Sequence, residues 1–86
     1  MIHARTDYDP IQDPRPNGIG KDEPVMLFRA QDRLMEFVLL HYISLLKKAN
    51  ADTAMVHAVY EHIQRVNDWQ STHPTKTPDM PYFTGR

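Results

Sequence analysis

The 86 residues of this chain suffice for one small domain, and a domain of that size buries only about 60% of the surface its unfolded chain exposes. Ten basic against eleven acidic side chains leave a formal charge of −1, which argues against bulk nucleic-acid binding, because that relies on a positive surface to release counterions. With no cysteine in the chain, disulfides and thiolate-bound zinc are excluded as supports, and oligomerisation becomes the expected extra source of stability.

Residues 1 to 24 hold four of the seven prolines and two of the three glycines. Asp7-Tyr8-Asp9-Pro10 and Asp13-Pro14-Arg15-Pro16-Asn17-Gly18 read as successive turns, so this part is expected to be an arm rather than a regular element. The opening Met1-Ile2-His3-Ala4-Arg5 lacks the apolar run of a secretory signal, and a cytoplasmic setting is expected.

Next comes a six-residue run, Val25 to Ala30, opened by Pro24 and carrying Arg29. It is too short for periodicity to decide between a strand and the first turn of a helix; Pro24, Val25 and Phe28 favour extended backbone. Such a segment has no sheet to join beside two helices, so it is expected to pair with a symmetry mate or to lie unpaired across them.

Residues 32 to 71 contain neither proline nor glycine. Asp32 is a plausible N-cap for a helix running to about Lys48, with Lys47 and Lys48 favourably placed at the negative end of its dipole. Ala49-Asn50-Ala51 breaks it, and Asp52 can cap a second helix from about Thr53 to Ser71. The expected fold is therefore mainly α: an extended segment plus an antiparallel two-helix hairpin (25 to 71) flanked by proline-rich arms (1 to 24 and 72 to 86) in a single small domain.

The two helices differ in pattern. The second is amphipathic, with Met55, Val56, Val59, Tyr60, Ile63 and Val66 on one side and His57, Glu61, Gln64, Arg65 and Asp68 on the other. The first is apolar over much more than one stripe and leaves only Glu36, His41, Ser44, Lys47 and Lys48 for water. One partner helix cannot cover it. A second subunit in a symmetric homo-oligomer is expected to do so, the alternative being that Val25 to Phe28 and the C-terminal aromatics Tyr82 and Phe83 fold back over it. The near-apolar stretch from 37 to 46 is about half the roughly 20 residues a membrane span needs.

The chemical candidates gather where the extended run meets the first helix. Arg29, Gln31 and Arg33 offer two guanidinium groups and an amide, suited to phosphate or carboxylate, with Asp32 opposing an anion at the cap itself. The competing assignment pairs Arg29 with Asp32, Glu36 or Asp79. Trp69, Tyr8, Tyr82 and Phe83 could stack on a nucleobase, with Lys76, Arg5, Arg15 or Lys21 reaching its phosphates; for Trp69, anchoring the C-terminal arm is the favoured alternative. His57 and His62 are five apart and point to different helix faces, and His57 with Glu61 forms only a pair, so no metal site and no cofactor is expected. There is no phosphate-binding glycine loop, serine elbow or cysteine nucleophile, so no enzyme is expected.

The segment Asp22-Glu23-Pro24-Val25-Met26-Leu27-Phe28-Arg29-Ala30-Gln31-Asp32, followed by two helices, Trp69 and then Lys76, Pro78 and Asp79, resembles small proteins of tailed phages and prophages over roughly residues 8 to 80. That group has no established activity, so the resemblance implies a context, host takeover or counter-defence by stoichiometric binding, and no catalytic residues. Two functions are expected from these features together. One is sequestration of an anionic nucleotide-type signal of bacterial immunity by Arg29, Trp69, Tyr8, Lys76, Gln31 and Arg33. The other is a protein-binding inhibitor or adaptor acting on a host enzyme through apolar surface.

Overall fold

A computed structural model describes residues 1–80. The described chain is mainly helical, with two helices and one short parallel strand pair. Its residues group into two compact units, the first 1–27 with 79–80 and the second 28–78.

The first unit is built from turns. The strand β1 (Ile2–His3) pairs in parallel with β2 (Pro24–Val25), Ile2 opposite Pro24 and His3 opposite Val25. This corrects the expectation that the segment after Pro24 has no strand to join within the chain. Only Pro24 and Val25 are strand, and the partner is the chain's own beginning, returned by the intervening turns. Pro24, which has no N–H to donate, occupies the first strand position, where its loss is tolerated.

Within that return path, a 3₁₀ turn at Thr6–Tyr8 leads to the expected turn around Asp13. The Asp13 carboxylate, 8% exposed, accepts from the backbone N–H of Arg15 (3.0 Å) and Ile19 (3.2 Å) and from the Arg15 guanidinium (2.8 Å). Asn17 has the left-handed φ of 61°, which asparagine tolerates better than most residues. A Cβ at Gly18 would strike the Asp13 carboxylate, so any other residue here must displace that side chain.

The second unit holds helices α1 (Met35–Lys48) and α2 (Thr53–Gln70), packed on one another. Ile43 of α1 and Val56, Val59 and Ile63 of α2 form the core cluster, with Leu39 and Leu46 against it. Met35 and Val66 are also buried. On α2 the buried positions are those its periodicity predicts, except that Met55 and Tyr60 stay exposed.

Between the helices, the Asn50 N–H donates to the Lys47 carbonyl and the Ala51 N–H to that of Leu46. This is a Schellman closure with Asn50, φ 53°, in the left-handed position that glycine often fills. Asp52 then caps α2 as expected, its carboxylate accepting from the Ala54 N–H at 2.9 Å. The other helix start differs from expectation. α1 begins at Met35, and Asp32 turns its carboxylate to the Leu34 N–H (2.7 Å) two residues on. Backbone bonds to residue 76 hold this segment out of the helix, as described below. No described helix is long and apolar enough to cross a membrane.

Candidate functional site

The segment entering α1 is fixed by long-range contacts. Asp32 and Lys76 form a parallel β-bridge: the Lys76 N–H donates to the Gln31 carbonyl (2.9 Å) and the Arg33 N–H to the Lys76 carbonyl (3.0 Å). From the last turn of α2, the Gln70 side-chain amide donates to the carbonyls of Ala30 (2.9 Å) and Asp32 (3.2 Å). These four bonds satisfy backbone groups that a loop would otherwise turn to water, and they hold residues 30 to 33 beside the end of α2.

Five of the six candidate residues lie on this framework. Gln31 is half-buried and contributes its backbone carbonyl to the bridge. Arg29 and Arg33 are exposed, and among the described residues their guanidinium groups make no hydrogen bond or ion pair. The alternative pairing of Arg29 with Asp32 or Glu36 is absent there; the Asp32 carboxylate is engaged at Leu34 instead. Lys76 enters by its backbone. Trp69, 37% exposed, stacks on the His73 ring with centroids 4.0 Å apart and planes 3° from parallel. His73 Nδ1 lies 2.8 Å from the Trp69 carbonyl, and the imidazole donates to it in the tautomer that protonates this nitrogen.

Tyr8 belongs to the first unit. Its ring lies 5.1 Å from the Arg5 guanidinium carbon and edge-on to His3 at 6.4 Å. Arg5 also forms a bidentate pair with Asp7, and this hydrogen bonding raises its already high pKa. His3 is buried with Nε2 2.6 Å from the Ile11 carbonyl, and its Nδ1 has no partner among the described residues. In the same unit the Arg15 guanidinium, followed by the N–H groups of Arg15 and Ile19, holds the Asp13 carboxyl well below the usual carboxylate range.

Two residues of the framework escaped sequence reasoning. His73 lies four positions after Trp69 but beyond the end of α2, so helical spacing did not announce the stack. Gln70 offered no signal either, because its partners are 38 and 40 residues away. Two hollows flank the core of this unit. One, of about 420 Å³, is lined by Lys47, Asn50, Thr53, Val56, His57 and Tyr60, with Lys47 Nζ donating to the Tyr60 hydroxyl at 3.1 Å. The other, of about 340 Å³, is almost wholly apolar and lies along α1 between Phe28, Val38, Tyr42 and Leu45. No group of three or more His, Asp or Glu among the described residues is arranged to hold a metal ion.

Tyr82 and Phe83, expected as possible covers for α1, lie outside the described residues. Compared with protein-family models, curated proteins and solved structures, the chain matches none.

Proposed function

We propose that this is a non-enzymatic binding protein that sequesters an anionic nucleotide-type signalling molecule of bacterial antiviral defence. On this reading it is phage-encoded, acts in the host cytoplasm and works as a homo-oligomer, with α1 and α2 as an antiparallel hairpin. The observation that carries it is the framework around residues 29 to 33. Two guanidinium groups without partners among the described residues sit on a backbone held to the end of α2, where Trp69 presents a stacked ring. Guanidinium forks suit phosphate oxygens, and an indole face suits a base. Holding both on hydrogen-bonded backbone lowers the cost of ordering them on binding. Arg29 and Arg33 supply charge, Trp69 the stacking face, and Gln31 and Lys76 the bridge; Tyr8, in the other unit, is not part of this reading.

The test is a thermal-shift screen of the whole chain against cyclic di- and trinucleotides, ADP-ribose derivatives and ordinary nucleotides, with calorimetry on any hit. At 100 times the dissociation constant a ligand stabilises the fold by about 2.7 kcal/mol. Arg29→Ala should then cost about 2 to 5 kcal/mol of binding while leaving the melting temperature of the free protein unchanged. A flat panel overturns the nucleotide reading. It would favour the second one, a protein-binding inhibitor or adaptor acting on a host enzyme, which the exposed apolar residues of α1 support.

A further inference from the structure

Where α1 passes into α2 the chain leaves a hollow of about 420 Å³, within the size range of small-molecule sites. Its lining comes from both helices and from the joint. Lys47 belongs to the last turn of α1, Asn50 to the joint, and Thr53, Val56, His57 and Tyr60 to the opening turns of α2. Val56, 8% exposed, and the Tyr60 ring supply an apolar wall. The remaining side chains all carry hydrogens to donate, and no Asp or Glu lines the hollow.

The pairing of Lys47 with Tyr60 decides what this space can hold. The ammonium donates to the phenol oxygen at 3.1 Å and lies 5.3 Å from the ring centroid. One of its three hydrogens is spent in this way, and the phenol keeps its own hydrogen to donate. Because the phenol oxygen accepts from a cation, that remaining hydrogen is the more strongly polarised. The pair therefore offers a positive charge and several hydrogens to an acceptor. Among the described residues the side chains of Thr53 and His57 make no hydrogen bond, so their donors are open to the same acceptor. Groups that would repel it are already engaged. The Asp52 carboxylate accepts from the Ala54 N–H, and the carbonyls of Leu45, Leu46 and Lys47 accept from the N–H groups of Ala49, Ala51 and Asn50.

We infer that the hollow binds a small molecule carrying an oxyanion, a carboxylate or a phosphate, on an apolar body. The oxyanion is held by Lys47 and the Tyr60 hydroxyl, and the body lies against Val56. A bare inorganic anion would leave most of the volume empty and the apolar wall unused. A cation would meet Lys47 with no carboxylate in the lining to offset it. The site shares no residue with the framework at 29 to 33, and it goes beyond the nucleotide reading of that framework.

The test is an NMR titration of the whole chain with phenyl phosphate and with benzoate, inorganic phosphate and benzylamine serving as comparison probes. Saturable shifts are expected at Ala51, Thr53 and His57, with a dissociation constant on the order of 1 mM for one or both aromatic anions, and the stronger of the two identifies the oxyanion. Inorganic phosphate should bind more weakly and benzylamine not at all. Lys47→Met, which keeps the apolar stem, should weaken binding about tenfold or more, and Tyr60→Phe, which keeps the ring, about threefold to tenfold. Circular dichroism of both variants should match the parent. No shift up to about 10 mM of either aromatic anion overturns the inference, as do equal binding of benzylamine and affinity unchanged by both substitutions. Inorganic phosphate binding as tightly as phenyl phosphate overturns the apolar-body part. Shifts at Arg29, Arg33 and Trp69 in place of the hollow overturn this site while supporting an anion at the framework.

Discussion

The helices α1 and α2 share one core, yet they spend their apolar residues differently. α2 is the longer at 18 residues and buries four of its apolar side chains, Val56, Val59, Ile63 and Val66, in a row along one face. Its opposite face, His57, Glu61, Gln64, Arg65 and Asp68, is exposed and polar. α1 is shorter and more apolar, but buries only Met35 and Ile43 fully, leaving Phe37, Leu40, Tyr42 and Leu45 outside. Mean apolar content therefore says little about how much of a helix the fold uses. Periodicity says more, because the surplus on α1 is itself ordered as a second stripe.

The sharpest way to break the comparison is to truncate each stripe. Ile63→Ala, in the shared core, should cost about 2 to 5 kcal/mol. At roughly 4 to 8 °C per kcal/mol for a domain of this size, thermal unfolding would register a large drop. Phe37→Ala should change the stability of the isolated chain by no more than about 0.5 kcal/mol, since a 64%-exposed ring contributes little to this core. Both must be measured at a concentration low enough to keep chains apart. Equal losses at the two sites would show that the outer stripe also supports the fold of the single chain.

A smaller effect is expected at the joint between the helices. Asn50 holds a left-handed backbone that a β-branched residue resists, so Asn50→Val should destabilise by about 1 to 3 kcal/mol in denaturant titration. Asn50→Gly should be tolerated. If valine is neutral, the Schellman closure does not constrain how α1 and α2 meet.

The mildest effect sharpens the contrast between this helical unit and the turn-built one. The Asp13 carboxyl is held below its ordinary range, so whatever the Asp13 turn contributes is complete at neutral pH. It is lost as pH falls below the ordinary carboxylate range near pH 4 and through the lower value of the folded state. The Ile19 amide resonance should move with that titration, and Asp13→Asn should remove the response. Amides in the α1 and α2 core should not follow it. A titration at the ordinary aspartate value would mean that the Arg15 pairing does not persist in solution.

Much of the helical unit was legible in the residues. Asp52 and Lys47-Lys48 announced their helix ends, and the three-and-four spacing on α2 named the side chains that are buried. The candidate site was legible only as a list of residue types. That Arg29, Arg33, Lys76 and Trp69 share a framework depends on the Asp32–Lys76 bridge and on Gln70, none of which has a local signature. The same bridge explains why Asp32, a good cap by type, does not start α1.

The sequence alone thus determined two helices, the joint between them and the surplus of apolar surface on the first, because caps, left-handed turn residues and periodicity act within a few residues along the chain. The tertiary structure decided the pairing of Ile2–His3 with Pro24–Val25, the bridge to Lys76 and the placement of Gln70 against Ala30 and Asp32. The strand pair and the bridge join backbone to backbone, and Gln70 joins its side-chain amide to backbone carbonyls, across about 20 to 45 residues, and a backbone carbonyl or N–H is the same at every position. Which ones meet is settled only when the chain closes on itself.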